Sequence, residues 1–361
     1  MNEDVAYTRH QDLWFTDGSI VLEAETTRFR VHTSVLARKS QFFRDMFSLP
    51  QPPVASSSSS SGLKESTCSD ESDRIVDGCP LVVLHDSAED LANLLVAFYD
   101  GPTFGDNDRE DFQVASGILR LATKYTVDSL REEAITHLSV AWPVTLKGWD
   151  AREEVASLYE VNTGLPHCSR YPSPIDVINL AQEVNAPTLL PSAFYDLSRY
   201  HFSQIFENPP EEPLRSIAGS NSMSLRDVQR LTLGKEASQQ CVASLIHSMR
   251  SINHHTHSGS STPSRGMINA HRRRVSCTSS MACRKEFSEL VQLATQHYLF
   301  DREKGCADPL YVAEELGQLK SAEFSECEPC ARALESWAAR ERVRIWKLVP
   351  SWFRLDSTNN N

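Results

Sequence analysis

The segment Trp14–Leu49, WFTDGSIVLEAETTRFRVHTSVLARKSQFFRDMFSL, constrains the fold more than any other part of the chain, because its apolar period changes sharply once. Ile20, Leu22 and Ala24 alternate with Val21, Glu23 and Glu25, the period of two that a strand shows when one face is covered. Glu25-Thr26-Thr27 supplies a turn, and Phe29 and Val31 resume the alternation, which predicts a hairpin from about Ser19 to His32. Beyond His32 the period becomes helical, with Val35 and Leu36 and then Phe42, Phe43, Met46 and Phe47. Ser34 and Ser40 are predicted N-caps, since a serine oxygen can accept the free amides of a first turn. Pro50, Pro52 and Pro53 end the second helix.

The same reading extends in both directions. Residues 1–13 are expected to be a tail. Pro50 to Pro80 contains the run Ser56–Ser61 and few apolar residues, too little to offset the entropy of ordering it. It is predicted to be a disordered insertion of about residues 50–80. Leu81–Leu84 reads as a third strand. Ser87-Ala-Glu-Asp90 reads as a capping box, and Leu91, Leu94, Leu95 and Phe98 form one helix face. Asp111 is the predicted cap of a further helix, which is joined to the next at Lys124-Tyr125-Thr126. The expected order is two strands, two helices, a strand and three helices.

Asp17-Gly-Ser-Ile-Val, then Phe29-x-Val-His32, then Ser34-Val-Leu-Ala-Arg-x-Ser40-x-Phe-Phe-Arg-x-Met-Phe47 resembles the opening of a BTB/POZ domain. AEDLANLLVAFYD and GILRLATKYTVDSLREEA extend the resemblance to the large group of fungal BTB-domain proteins. The resemblance implies an α+β fold over residues 14–140, with a small three-stranded sheet and a helical cluster. It marks Asp17, His32, Leu36, Ser40, Phe43, Met46 and Phe47 as pattern residues. It also implies protein partners: a second copy, a cullin-type ubiquitin ligase scaffold or a transcriptional corepressor. In many such domains the early Asp and a basic residue just after the His line a charged pocket at the dimer groove. Here Thr33 stands in the basic position.

Residues 141–361 read as all-helical. Helical extensions follow many BTB domains, and this half is expected to hold a second binding surface. Asp176 is the predicted cap of a helix bearing Val177, Leu180, Ala181 and Val184, and Ser224 to Met249 could hold a longer helix weakened by Gly234. From Ala237 to Lys285 there is no acidic residue, while seven Lys/Arg and five His occur. This predicts a flexible basic loop at about 250–280, in which Arg273-Arg274-Val275-Ser276 fits a basophilic kinase site at Ser276.

Net charge −12 over 361 residues argues against nucleic acid and anionic membranes as partners. The segment MNEDVAYTRHQD has no basic region followed by an apolar run, so no signal peptide is expected, and no apolar run approaches a bilayer span. Together with nine unevenly spaced cysteines this points to a reducing compartment, cytoplasmic or nuclear. Among the cysteines, Cys277-x5-Cys283 and Cys327-x2-Cys330 have metal-like spacing. They form a candidate structural zinc clip between two helices, with His297 or Cys306 as substitutes; the alternative is four free thiols. No phosphate loop, nucleophile elbow or zinc-protease motif is present, so no catalytic residue is assigned and the chain is not expected to be an enzyme. The expected function is a BTB adaptor or scaffold. A transcription-linked regulator without its own DNA-binding domain is an alternative, and a Cys-x-x-Cys redox protein is a more distant one.

Overall fold

The computed structural model describes residues 6–49, 75–207, 214, 222–257, 277, 280–300, 308–318 and 327–355. The chain divides into two compact units. The first comprises Met1–Ala141 with Arg170–Pro172 and Gln182–Ala186. The second comprises Trp142–Ser169, Ser173–Ala181 and Pro187–Asn361.

The first unit is built on a mixed sheet of five strands: β1 Thr8–Trp14, β2 Ile20–Ala24, β3 Thr27–Val31, β4 Ile75–Val76 and β5 Cys79–Leu84. Their order in the sheet is β1-β3-β2-β5-β4. The predicted hairpin is β2–β3, antiparallel with Leu22 opposite Phe29. The predicted third strand is β5, which runs parallel to β2. Two strands correct the sequence reading. The expected tail of residues 1–13 holds all of β1 but its last residue, Trp14, and this strand pairs parallel with β3. The expected insertion ends earlier than residue 80, because Ile75–Val76 pairs with β5. Its turn is Asp77-Gly78, both at positive φ (50° and 76°), the conformation a two-residue hairpin of matching twist requires. The serine-rich residues 50–74 lie outside the described residues.

β2 is buried along its whole length, so covering one face alone does not describe it. Ile20, Leu22 and Ala24 join Phe29, Val31, Leu36 and Phe43 in the core. Glu23 is buried too, and it is compensated by its cross-strand neighbour Arg28, whose Nε lies 2.8 Å from its carboxylate. Around the sheet lie α1 Thr33–Lys39, α2 Gln41–Ser48, α3 Ala88–Tyr99, α4 Arg109–Lys124 and α5 Asp128–Ala141. Ser40 caps α2 as predicted, accepting from the Phe43 amide at 3.1 Å. Ser34 does not cap: α1 begins at Thr33, with His32 in the cap position. Ser87 caps α3. α4 is capped by Asp108 rather than Asp111, which lies in the first turn.

The second unit is helical: α6 Leu146–Thr163, α7 Pro174–Glu183 (its last two residues count with the first unit), α8 Leu190–Ser198, α9 Phe202–Phe206, α10 Leu225–His257, α11 Ser280–Thr295, α12 Pro309–Gln318 and α13 Glu328–Trp352. Asp176 is not the cap of α7, which starts two positions earlier after Ser173. α10 is longer than predicted and takes up part of the expected basic loop; residues 258–276, including Ser276, lie outside the described residues. α10 packs against α8, α11, α12 and α13. Gly234 is where α10 meets Phe353: a Cβ there would stand 1.9 Å from the buried ring. Among the described residues, no helix is long and apolar enough to cross a membrane.

Candidate functional site

Of the seven pattern residues in the first unit, five hold the fold together. Leu36, Ser40 and Phe43 are fully buried, and Met46 and Phe47 pack against the core. Ser40 does double work, donating to the Tyr125 carbonyl at 2.6 Å while it caps α2. The other two, Asp17 and His32, meet near the surface. His32 Nε2 lies 3.3 Å from the exposed Asp17 carboxylate, and its Nδ1 lies 2.9 Å from the Tyr99 hydroxyl. Tyr99 Oη also accepts the His32 backbone amide at 3.1 Å. Phe15 packs beside both rings. The Asp17 carboxyl is held below its ordinary value, first by its own backbone amide, then by His32, with a smaller pull from Arg30. Arg30 on β3 thus contributes positive charge near Asp17. Thr33, which stands where a basic residue was expected, instead bonds Ser19 at 3.0 Å.

Sequence reasoning missed Tyr99, whose role depends on a partner 67 residues away. It also misread Asp111. This buried carboxylate accepts the Gly105 amide at 2.6 Å and the Asn107 amide at 2.8 Å, and it meets His137 Nε2 at 2.6 Å. Its place in the first turn of α4, where amides are unpaired, suits a carboxylate.

The second unit holds a charged network that the sequence did not announce. Arg152 of α6 pairs with Asp196 of α8 at 2.7 Å and with Glu153 at 2.6 Å. Arg199 joins Glu153 at 2.7 Å, Asp196, and Asp308 at 3.3 Å. Tyr195 donates to Asp308 at 2.6 Å. Burial raises the Asp196 pKa, but Arg152 and Arg199 outweigh it and leave the carboxyl below its ordinary value. Glu153 follows the same balance, with Arg199 the larger influence. Beside this network lies a cleft of about 900 Å³, lined by Trp149, Glu153, Arg199, Asp308, Tyr311 and Arg342 among others.

The four cysteines singled out by spacing converge. Cys277 precedes α11, Cys283 lies in its first turns, Cys327 is the N-cap of α13, and Cys330 lies in the first turn of α13. Their sulfurs all lie within 4.8 Å of one another. Cys277 Sγ is 3.5 Å from Cys283 Sγ and 3.7 Å from Cys327 Sγ. Cys283, Cys327 and Cys330 are buried. Burial and then the facing thiols of Cys277 and Cys327 push Cys283 up to about 12, and burial with the neighbouring thiols raises Cys330 as well. His297, offered as a substitute, is not in this group; Cys306 lies outside the described residues.

A protein-family model described as BTB/POZ domain matches residues 8–140. No curated protein matches the chain.

Proposed function

Because residues 8–140 are a BTB/POZ domain, a protein–protein interaction module, we propose that this chain is an adaptor or scaffold. The first unit makes the shared contact, with a second copy of the chain or with a cullin-type ubiquitin ligase scaffold. The helical second unit holds the other partner. The observation that carries this reading is the domain match over the sheet and helices of the first unit. The burial pattern supports it: the pattern residues of α1 and α2 are spent on the core, while Asp17 stays exposed beside His32 and open to a partner. The cleft in the second unit, with its mixed charge and aromatic walls, suits a partner segment carrying both charge and apolar side chains.

Light scattering of the purified full chain, together with retention on an immobilised cullin scaffold, tests the proposal. A dimer, or specific cullin retention, is expected. A strict monomer at working concentration that retains no cullin would sink it.

A further inference from the structure

We propose that Cys277, Cys283, Cys327 and Cys330 bind one zinc ion as thiolates in a closed, structural site. Zinc–thiolate bonds of about 2.3 Å in a tetrahedron place neighbouring sulfurs about 3.8 Å apart. The Cys277–Cys283 and Cys277–Cys327 separations of 3.5 and 3.7 Å fall at that spacing, and all four sulfurs lie within 4.8 Å of one another, close enough to share one ion. The donors come as two pairs from two places in the fold. One pair brackets the start of α11. The other is the Cys-x-x-Cys turn at the start of α13, closed by the Cys330 amide donating to the Cys327 carbonyl at 3.0 Å. Pro329 in the first turn of α13 removes an amide that has no helical partner there.

Two other uses of four cysteines fit less well. A redox dithiol needs an accessible attacking sulfur, but Cys327 is 3% exposed and Cys330 1%. Packing of thiols as small apolar groups would not require all four sulfurs to converge on one point from separate segments. A soft, all-sulfur donor set selects zinc over calcium or magnesium. With four protein ligands no position is left open for water or substrate, so the ion's role is to hold the fold. On binding, the four thiols release their protons to solvent and donate electron pairs to the ion; nothing is oxidised. The ion would tie Cys277 to Cys327 across 50 residues and fix α11 to α13.

The test is elemental analysis of the full chain purified under reducing conditions without added metal, followed by exchange of the bound ion for cobalt. One zinc per chain is expected, and the cobalt form should show the intense visible bands of a tetrahedral thiolate site. Cys330→Ser should lose most of the zinc, while Cys241→Ser, which removes a buried thiol outside the cluster, should keep it. Should Cys330→Ser fail to fold, the wild-type zinc content and cobalt spectrum still decide. A folded wild-type chain that carries no zinc and takes up no cobalt would overturn the proposal. So would an ion that stays bound in a folded Cys330→Ser variant with unchanged cobalt bands.

Discussion

Ser34 and Ser40 look alike in the sequence, each a serine ahead of a helical apolar run. Only Ser40 also bonds across the fold, to the Tyr125 carbonyl. Ser40→Ala therefore removes a cap and strands a buried acceptor. It should destabilise the first unit by about 1–3 kcal/mol, whereas Ser34→Ala at its exposed position should stay within about 0.5 kcal/mol. Urea unfolding of both variants distinguishes them. Gly234 carries the opposite lesson. Read from sequence, it weakens α10, and alanine should gain about 1 kcal/mol of helix propensity. The structure puts the Phe353 ring against its Cα hydrogens. Phe353 is itself stacked on Phe194 at 5.3 Å and is fully buried. Gly234→Ala should lower stability by about 1–3 kcal/mol net, read as a shift in the urea midpoint. Neither outcome could be foreseen locally, because the deciding partners, Tyr125 and Phe353, lie far along the chain.

Elements whose apolar period is regular were legible: β2, β3, α2, α3, and the faces of α4 and α5. The four-cysteine spacing was legible as well, although only the structure shows that the sulfurs meet. β4 was hidden by the serine-rich stretch before it, even though Asp77-Gly78 is a hairpin signal on its face. β1 was hidden because residues 6–13 are mostly polar, as an edge strand's can be. The charge network linking α6, α8 and the start of α12 was illegible, since its members come from separate segments and only Asp196 and Arg199 sit at helical spacing. It has a consequence for pH. Asp196 and Glu153 have folded pKa values below their ordinary ones, so the folded state binds fewer protons than the unfolded chain. Their stabilisation is complete above the ordinary carboxylate value of about 4. It is lost as pH falls through that value towards the lower folded ones. Circular dichroism melts between pH 7 and pH 3 should show the second unit weakening in that window. Asp196→Asn should cost about 3 kcal/mol or more at pH 7 by leaving buried arginine charge unbalanced, and should flatten the pH dependence.

At the scale of the molecule, a zinc ion on the four cysteines would act as a cross-link. Closing a 50-residue span restricts the unfolded chain by about 4 kcal/mol. A strong chelator should therefore lower the unfolding midpoint of the second unit and leave that of the first unit in place; equal shifts in both would argue against a local clip. The first unit also does not end where its family match ends. Arg170 reaches back to Asp106 at 3.1 Å. Glu183 pairs with Arg120 at 2.9 Å, and the Val184 and Asn185 carbonyls accept from Arg131 at 3.0 Å. A polypeptide severed after residue 140 would keep the five strands, α1 to α4 and all of α5 but Ala141, yet would leave three arginine contacts without their counterparts. Homology and packing thus draw different borders, and no single scission releases the first unit whole.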